Sequence, residues 1–392
     1  MQNPILSQIQ NEIDSLRNAG TYKTAPVICG PMNATVKLSD NREVINLCSN
    51  NYLGLADHPE VVAQAKKAMD KYGNGTASVR FICGTFDIHL ELESAIAKFL
   101  NTESSTTYVS CWNANEALVP TLLAPGDVVI SDELNHASII DASRLCSKKV
   151  GRFIYHHNDM NDLERILKEN ESVKRKLIIT DGVFSMEGDL ANLKGIVDLA
   201  QKYNAITAVD DSHAHGVIGK TGCGTPEHFG VEVDIITGTL GKALGGAAGG
   251  FVASSKPIIE LLVQRSRPQL FSNALPPATA AGALAAIKIL ANEPQRLKKL
   301  HQNVKYLRDG LGKLGYQVIE SPTAIIPVIV GQTAKAIRLA NKMLEHNILI
   351  TGFGYPVVPE GTARLRAQVS AAHDKAHLDK ALMVFKELKK ET

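Results

Sequence analysis

Lys242 lies among small residues in the segment TLGKALGG, downstream of an apolar segment that ends in Asp210 and continues to His213. A lysine amine in such surroundings can form a Schiff base with an aldehyde, because desolvation favours its neutral, nucleophilic form. A carboxylate at Asp210 can keep a pyridine nitrogen protonated, so that the ring acts as an electron sink. His213 can lie against the phenolic oxygen of the same ring. Together the three residues indicate pyridoxal phosphate (PLP) as the cofactor.

Other interpretations of these residues stay open. Most lysines are solvated surface charges, and Asp210 could simply begin a loop or cap a helix. Asp210, Asp211, His213 and His215 also carry side chains of the types that bind metal ions. No second group of ligands with a recognised spacing, such as H-E-x-x-H, accompanies them. We therefore predict no metal site.

Further candidates follow other predicted strands. His136 comes after the strand Asp127–Ser131, where an imidazole can stack on a flat ring, although a lone histidine is more often an ordinary polar group. Cys111 and Trp112 open a helix whose first backbone N–H groups can bind a phosphate. An ordinary helix N-terminus explains them equally well. Thr239 can offer its hydroxyl group to the same phosphate.

Three other motifs bear on the class of enzyme. Ser185 is not in a G-x-S-x-G elbow, which argues against a serine hydrolase. Gly219-Lys220-Thr221 is similar to the end of a P-loop, but Ala214 occupies the position of the first glycine. Arg364 and Arg366 alternate along a predicted strand, so one of them could bind a substrate carboxylate with two hydrogen bonds. The alternative is a pair of surface charges.

The composition is that of an ordinary globular protein. The 392 residues are 44% hydrophobic and 21% charged, and the formal net charge of +2 favours neither nucleic acid nor an anionic membrane as a partner. The six cysteines show no C-x-x-C spacing, the N-terminus lacks the features of a targeting peptide, and no apolar stretch approaches the length of a membrane span. We expect free thiols and a cytoplasmic protein.

An alternation of strands and helices must position the candidate residues. The predicted strands are Thr106–Ser110, Asp127–Ser131, Arg152–Tyr155, Leu177–Thr180, Ala205–Asp210, Ile235–Gly238 and Gly249–Ala253. The predicted helices are Pro59–Tyr72, His89–Leu100, Asn113–Leu122, Ala137–Leu145, Asn161–Lys168 and Leu193–Tyr203. Repeated βα units of this kind predict an α/β fold with a mostly parallel, wound sheet. Ligands of such sheets bind beyond the carboxyl ends of the strands, which is where the candidate residues fall.

The length of the chain and its changes of pattern predict more than one packed region. Residues 1–55 are expected to form an N-terminal arm with a helix and short strands. Residues 56–276 are expected to form the large PLP-binding α/β domain, and residues 277–392 a smaller α+β domain. The predicted elements of this last region are helices Ala278–Ala291, Pro294–Leu314, Ala334–Glu345 and Lys375–Glu387 and strands Ile325–Val330, Ile348–Ile350 and Arg364–Val369.

At the level of whole motifs the chain resembles the α-oxoamine synthases, which are fold-type I PLP-dependent transferases. The similarity extends over essentially the whole chain, and together its segments are more selective than any short motif. They are INLCSNNYLGLADHP (45–59), ASVRFICGT (77–85), SDELNHASIIDASRLC (131–146), DGVFSMEGDLANLKGIVD (181–198), RSRPQLFSNALPP (265–277) and TGFGYPVVPE (351–360), with 209–216 and 233–250. ASVRFICGT and FSNALPP favour the glycine acetyltransferase branch over the biotin-pathway and sphingoid-base branches.

The resemblance implies a role for each candidate residue. Lys242 would be the Schiff-base lysine and general base, with Asp210 at the pyridine nitrogen and His213 at the phenolic oxygen. His136 would stack on the ring and help to position the acyl group. The other contacts implied are Cys111, Trp112 and Thr239 at the phosphate, Ser185 beside the cofactor, Ser272 and Asn273 at the cofactor phosphate of the neighbouring subunit, Arg366 at the glycine carboxylate and Asn50 near it.

The implied activity is the condensation of glycine with acetyl-CoA to 2-amino-3-oxobutanoate and CoA, or the reverse reaction in threonine degradation. The resemblance also implies a homodimer with a shared site, and an L-threonine dehydrogenase as a partner. The alternatives are a sister synthase, such as 8-amino-7-oxononanoate synthase, a threonine aldolase-type lyase, or a non-catalytic relative. The chain departs from the family at Trp112, where a smaller aromatic residue is common, at His215, a usually small position, and in a slightly short loop between Glu227 and Asp234.

Overall fold

The computed structural model describes residues 4–391, which form two compact units. The larger unit consists of residues 50–301 and 321–323, and the smaller unit consists of the described residues of 1–49, 302–320 and 324–392. No described helix combines the length and the apolar character that are needed to cross a membrane.

The strands and helices alternate along most of the chain. The strands are β1 (Thr35–Lys37), β2 (Glu43–Asn46), β3 (Ser104–Tyr108), β4 (Val128–Asp132), β5 (Gly151–Tyr155), β6 (Lys176–Asp181), β7 (Ile206–Asp210), β8 (Ile235–Thr239), β9 (Gly250–Ser254), β10 (Ile325–Gly331), β11 (Ile348–Leu349), β12 (Thr351–Phe353) and β13 (Ala363–Gln368). The helices are α1 (Pro4–Asn18), α2 (Pro59–Tyr72), α3 (Arg80–Cys83), α4 (Asp87–Phe99), α5 (Cys111–Leu122), α6 (Ala137–Leu145), α7 (Met160–Glu169), α8 (Leu193–Lys202), α9 (Thr225–Phe229), α10 (Lys256–Arg265), α11 (Arg267–Phe271), α12 (Pro277–Asn292), α13 (Pro294–Lys313), α14 (Thr333–Glu345) and α15 (Lys375–Leu388), followed by a 3-10 turn at Lys389–Glu391.

A seven-stranded sheet forms the centre of the larger unit, in the order β3-β9-β8-β7-β6-β4-β5. Strand β9 runs antiparallel to both of its neighbours, and every other neighbouring pair is parallel. The mostly parallel wound sheet predicted from the sequence is therefore confirmed, and the predicted strands agree with the observed ones to within a few residues at each end.

Helices cover both faces of this sheet, which explains why its central strands are apolar in successive positions. Val129 and Leu177 pack into one core with helices α5 and α6, whereas Val128 and Ile178 pack into a second core with α7 and α8. Successive side chains of a strand point to opposite faces, so each strand contributes to both cores. Burial of each such side chain contributes about 1.5–3 kcal/mol.

Helix α12 belongs to the larger unit, whereas the sequence predicted that the smaller domain would begin at residue 277. The helix is rich in alanine and leucine, most of its residues are buried, and it packs against α2 and α4. A helix that is apolar on most of its surface must be covered on most of its surface. Residues 277–301 therefore pack with the sheet domain, and residues 4–49 pack with the described C-terminal residues.

The smaller unit contains two three-stranded sheets, β1-β2-β11 and β10-β13-β12. Strand β13 pairs antiparallel with both β10 and β12, and β11 pairs in parallel with β2. Val36, Leu38 and Val44 form a small core beneath the first of these sheets. Helix α1 has the predicted amphipathic pattern but contains no buried residue.

His215 is buried in the larger unit between two aromatic side chains. Its ring centroid lies 5.4 Å from that of Phe251 and 6.3 Å from that of Phe99. Neither ring nitrogen has a hydrogen-bond partner within residues 4–391. Burial disfavours the imidazolium form and lowers the pKa of His215 to about 4, against a small opposing effect of Asp210.

We expect His215→Leu to stabilise the protein. The substitution removes an unpaired polar group from an apolar site, a gain of about 1–3 kcal/mol in the free energy of unfolding. Because the folded-state pKa is lowered, the wild type loses stability as the pH falls from 6.5 toward 4. The gain should therefore be larger at pH 5 than at pH 7.5 in urea unfolding. The exposed His228→Leu is the matched control, and an equal gain at both pH values would contradict the explanation.

Candidate active site

The carboxyl ends of neighbouring strands bring acids and hydroxyl groups together in the larger unit. Asp181 ends β6 and Asp210 ends β7, and the two residues are opposite each other in the parallel register. Thr239 ends the next strand, β8, and Lys242 follows it in a glycine-rich turn. Gly245 and Gly246 of this turn have positive φ angles of 110° and 71°, which side-chain-bearing residues rarely adopt.

A cavity of about 220 Å³ lies at this edge of the sheet. Its lining includes eight of the predicted site residues: Cys111, Trp112, His136, Ser185, Asp210, His213, Thr239 and Lys242. Ser110, Ser138, Asp181, Val183 and Ser212 complete the lining. The sequence had placed these residues on five different segments, and the structure brings them around one space.

Asp210 is a buried carboxylate that is held in its ionised form. Burial alone would raise its pKa, but hydrogen bonds and the charge of Lys242 outweigh burial, so the pKa lies below its ordinary value. The Asn115 amide donates to Oδ2 at 2.7 Å, and the Ser212 backbone N–H donates to Oδ1 at 2.9 Å. The cavity therefore contains a negative charge suited to a protonated ring nitrogen.

Asp181 has the opposite electrostatic behaviour. Burial raises its pKa well above the usual range, and the charge of Asp210 raises it further. Its Oδ2 accepts the backbone N–H of His136 at 2.9 Å, so the side chain also fixes the start of the segment that carries that histidine. Neighbouring acids with pKa values driven apart leave the negative charge on one of them, here Asp210.

His136 lies at the N-cap of α6, with its ring against the cavity. Its Nδ1 accepts the backbone N–H of Ser138 at 3.2 Å, and the Trp112 ring meets it edge-on at 5.9 Å between centroids. Burial lowers the pKa of His136, while Asp210 opposes the shift. The imidazole is therefore neutral at physiological pH and offers a flat, uncharged face.

Tyr52 is a site residue that the sequence reasoning missed. Its hydroxyl group lies 2.8 Å from Nδ1 of His213 and 3.3 Å from Oδ1 of Asn50. Tyr52 is almost completely buried, so this contact fixes the position of the His213 ring. The tyrosine belongs to the segment INLCSNNYLGLADHP, whose similarity to the family could have drawn attention to it.

The N-terminus of α5 provides a site for an anion. Ser110 caps the helix by accepting the Asn113 N–H at 3.2 Å, and Cys111 and Trp112 of the first turn line the cavity. The N–H groups of a helix N-terminus can bind an anion. A Cβ atom on Gly250 would collide with the backbone nitrogen of Cys111, so glycine is required where β9 meets this turn. The Cys111 thiol is itself unreactive, because burial and the charge of Asp210 raise its pKa well above the ordinary value.

The hydroxyl group of Thr239 braces the turn that bears Lys242. It donates to the Gly249 carbonyl group and accepts the Gly241 N–H, each at 3.1 Å. Thr239 also lines the cavity.

The remaining predicted residues lie elsewhere. Ser272 and Asn273 line a separate small hollow beside Arg80 and Thr107. Arg366 is in β13 of the smaller unit, where its guanidinium lies 4.6 Å from the centroid of the Phe353 ring. Their roles stay predictions. Across residues 4–391 there is no cluster of three His, Cys, Asp or Glu side chains arranged to hold a metal ion.

His157 joins two segments that carry site residues. Its Nδ1 lies 3.0 Å from Asp132 Oδ1, and its Nε2 lies 2.9 Å from Asp189 Oδ2. Asp132 ends the strand before His136, and Asp189 follows Ser185 in the next loop of the sheet edge. Burial alone would lower the pKa of His157, but the two carboxylates raise it to about 10, so the ring is a cation that holds the loops together.

Comparisons with known proteins identify the family of the chain. The model of the family "Aminotransferase class I and II" matches residues 42–385. The chain belongs to this family. It is 46% identical over 395 residues to the 2-amino-3-ketobutyrate coenzyme A ligase of Escherichia coli, covering 100% of this chain and 99% of the relative. It is also 46% identical to an 8-amino-7-oxononanoate synthase of Symbiobacterium thermophilum, covering 97% of each.

The fold is shared with solved structures as well. The serine palmitoyltransferase of S. paucimobilis, solved with bound PLP-myriocin aldimine, superposes with a TM-score of 0.93, at 29% identity and 99% coverage of each chain. The resemblance to the α-oxoamine synthases and the fold-type I architecture are therefore confirmed.

The side chains around the cavity fit PLP by their chemistry. An amine can bind the aldehyde, an ionised buried carboxylate can bind the protonated ring nitrogen, and a neutral imidazole can pack on the ring. A helix N-terminus and a threonine hydroxyl group at the same cavity suit the phosphate.

We expect His157→Gln to lower the free energy of unfolding by about 3 kcal/mol near pH 6, since it leaves two carboxylates without their shared cation. The folded-state pKa is raised, so this contribution is fully present below pH 6.5 and disappears as the pH rises through 10. Urea unfolding at pH 6 and pH 10 measures the difference. The exposed neighbour His156→Gln should change stability by less than about 0.5 kcal/mol. A deficit that does not shrink at pH 10 would show that the ion pairs are not its cause.

Proposed function

We propose that this protein is a PLP-dependent glycine C-acetyltransferase, which condenses glycine with acetyl-CoA to 2-amino-3-oxobutanoate and free CoA, and catalyses the reverse cleavage. The observation that carries the proposal is the single cavity in which the ionised Asp210 carboxylate accompanies Lys242. The full-length similarity to a 2-amino-3-ketobutyrate coenzyme A ligase supports the choice of substrates.

The cofactor, when bound, accepts the electron pair that is released at the glycine Cα. Lys242 would hold the cofactor through its aldehyde, and the amine of Lys242 would take the proton of the glycine Cα as general base. Asp210 keeps the ring nitrogen protonated by a charge-assisted hydrogen bond. The Cα–C bond forms at the thioester carbonyl carbon of acetyl-CoA as the C–S bond breaks, and CoA leaves as the thiol.

Other residues bind and orient the reactants. His136 packs on the ring as a neutral group and adds no charge beside Lys242. His213, fixed by Tyr52, contacts the phenolic oxygen. The cofactor phosphate is bound by the first turn of α5, at Cys111 and Trp112, and by Thr239, with Ser185 beside the cofactor. On the strength of the family resemblance, Arg366 binds the glycine carboxylate and Asn50 lies near it.

A second candidate, 8-amino-7-oxononanoate synthase, is supported by the equal identity of 46% to such an enzyme. It runs the same carbon–carbon bond formation with another amino acid and a longer acyl thioester. The two candidates therefore differ in substrates and not in the groups that perform the chemistry.

Release of free CoA from a panel of amino acids and acyl-CoAs tests the function. We expect glycine with acetyl-CoA to give the highest kcat/KM, and alanine with longer acyl-CoAs to be poorer by about tenfold or more, since discrimination by a few methylene groups is of this order. The opposite ranking would favour the sister synthase. Cleavage of threonine without CoA would indicate an aldolase-type lyase instead.

In the same assay we expect Lys242→Ala to reduce the activity by about 10²–10⁴-fold. The rate of exchange of the glycine α-proton, measured by NMR, should fall with it. The matched control is Lys220→Ala, because Lys220 is an exposed lysine in the segment that is similar to the end of a P-loop. Wild-type rates of α-proton exchange in Lys242→Ala would contradict the role of general base.

We also propose that the protein is a cytoplasmic homodimer with a shared active site, and that an L-threonine dehydrogenase is its metabolic partner. Large apolar side chains of α3 and α11 support the dimer: Phe81, Ile82 and Phe271 are 63%, 66% and 74% exposed. Such a patch on a soluble surface marks an interaction site. Ser272 and Asn273 directly follow Phe271, so a second subunit seated there would be within reach of them. Six free cysteines support a reducing compartment.

Mixing two inactive variants tests the shared site. Lys242→Ala and the double variant Ser272→Ala/Asn273→Ala should each be inactive alone. If the neighbouring subunit supplies Ser272 and Asn273, one of the two sites in each mixed dimer is intact. Because about half of the dimers are mixed after co-refolding, about a quarter of the wild-type activity should return. Light scattering of Phe271→Glu, which we expect to be monomeric, provides the control for assembly. No recovery of activity from dimers shown to be mixed would contradict the shared site.

A further inference from the structure

Asn115 is fully buried in α5, and both ends of its amide are hydrogen-bonded. Its Nδ2 donates to Asp210 Oδ2 at 2.7 Å and to Ser138 Oγ at 2.9 Å, and its Oδ1 accepts from Thr237 Oγ1 at 2.9 Å. The orientation of the amide follows from chemistry, because an ionised carboxylate can only accept a hydrogen bond. Both amide hydrogens are therefore committed, one to Asp210 and one to Ser138.

Ser138 carries the connection on to His136. Its Oγ accepts a hydrogen from Asn115 and lies 2.8 Å from His136 Nδ1, so the hydroxyl hydrogen is directed to that nitrogen. The Ser138 backbone N–H donates to the same nitrogen at 3.2 Å. With donors on Nδ1, the ring proton of His136 must reside on Nε2.

We propose that Asn115 is a positioning residue that links the carboxylate of Asp210 and the imidazole of His136 in one hydrogen-bonded unit and fixes His136 as its neutral Nε2–H tautomer. The proposal rests on the proposed function, because it concerns the carboxylate and the imidazole that would contact the cofactor ring. Asn115 touches neither cofactor nor substrate in this scheme, since it acts through two other side chains.

The hydrogen-bonded unit affects both Asp210 and His136. At Asp210, the Asn115 hydrogen bond is one of the interactions that keep a buried carboxylate ionised. At His136, the charged groups that act on the ring are Asp210 and Lys242, and Asp181 holds the backbone of the same residue. Loss of Asn115 would free the Ser138 hydroxyl group to turn and accept a proton from Nδ1 instead of donating to it.

The direct test is the tautomer of His136 in the cofactor-free protein. In ¹⁵N-histidine-labelled protein, with His136 assigned by its absence in His136→Gln, we expect the Nε2–H form in the wild type from pH 6 to pH 9. In Asn115→Leu, an apolar side chain of similar size, the tautomer ratio should shift toward Nδ1–H by about five- to tenfold, as for loss of one hydrogen bond. An unchanged ratio in a folded variant overturns the proposal.

Two further variants distinguish an effect on the His136 tautomer from a general loss of stability. Asn303→Leu is the matched control: Asn303 is also a buried amide, and it donates to the carbonyl groups of Ser370 and His373 in the smaller unit. It should lower the melting temperature as Asn115→Leu does, but leave the His136 tautomer unchanged. Ser138→Ala removes the middle of the connection and should shift the tautomer in the same direction. It serves as the test if Asn115→Leu does not fold, and an unchanged ratio in Ser138→Ala then overturns the proposal.

Kinetics of the loaded enzyme give a second readout. We expect Asn115→Leu to lower kcat for CoA release by about tenfold, with the KM for glycine changed by less than about twofold, because the groups that bind glycine are untouched. A tautomer shift without any glycine-dependent activity in the wild type would refute the proposed function and leave the hydrogen-bonded unit established. A change confined to KM would show that Asn115 does not act through the ring contacts.

Discussion

The site depends on one buried negative charge, that of Asp210. A carboxylate removed from water would normally take up a proton, since desolvation in an apolar interior costs several kcal/mol. Here the Asn115 amide, the Ser212 N–H and the positive charge of Lys242 outweigh that cost, and the pKa of Asp210 lies below its ordinary value. Burial raises the pKa of Asp181 well above the usual range and that of Asp211 to about 7, and the charge of Asp210 adds to both shifts. The arrangement leaves a single carboxylate able to hold a proton on a ring nitrogen.

The parallel sheet makes this arrangement possible. Strands that run in one direction place their last residues side by side, so Asp181, Asp210 and Thr239 end neighbouring strands at one edge. Helix α5 contributes two groups at the same edge of the sheet. Its first turn, at Cys111, offers backbone N–H groups, and Asn115, one turn later on the same face, reaches the carboxylate. In the proposed function, the helix whose first turn would bind the cofactor phosphate therefore also supports the carboxylate that would bind the ring nitrogen.

Much of this could be predicted from the sequence, because its signals are local. A lysine among glycines, an apolar strand that ends in Asp210 and strands apolar in successive positions are each visible within a short window. The hydrogen-bond partners of Tyr52, Asn115 and His157 could not be predicted, since each of these residues bonds to a partner far away in the chain, as Tyr52 does to His213. Asn115 had one local signal, its position four residues after Cys111.

The predicted domain boundary at residue 277 does not coincide with the limits of the observed compact units. Pro276-Pro277 mark a turn in the sequence, but the apolar surface of α12 decides which unit the helix packs against. The short helices α3, α9 and α11 were not predicted, because they span too few residues to show the helical repeat of apolar side chains.

The equal similarity to a ligase that is named for 2-amino-3-ketobutyrate and to an oxononanoate synthase has a physical explanation. In the proposed function and in its alternative, the same events occur at the reacting carbon: a proton is removed, an electron pair is accepted, and the carbon is acylated by a thioester. The groups that we propose for these events are Lys242 and the Asn115-linked pair of Asp210 and His136, and their chemistry does not depend on the length of the acyl chain. Selection for the length of the acyl chain would then act mainly through residues other than these. Such residues can change without disturbing the buried charge, so one arrangement of catalytic groups can be combined with different acyl-binding surfaces.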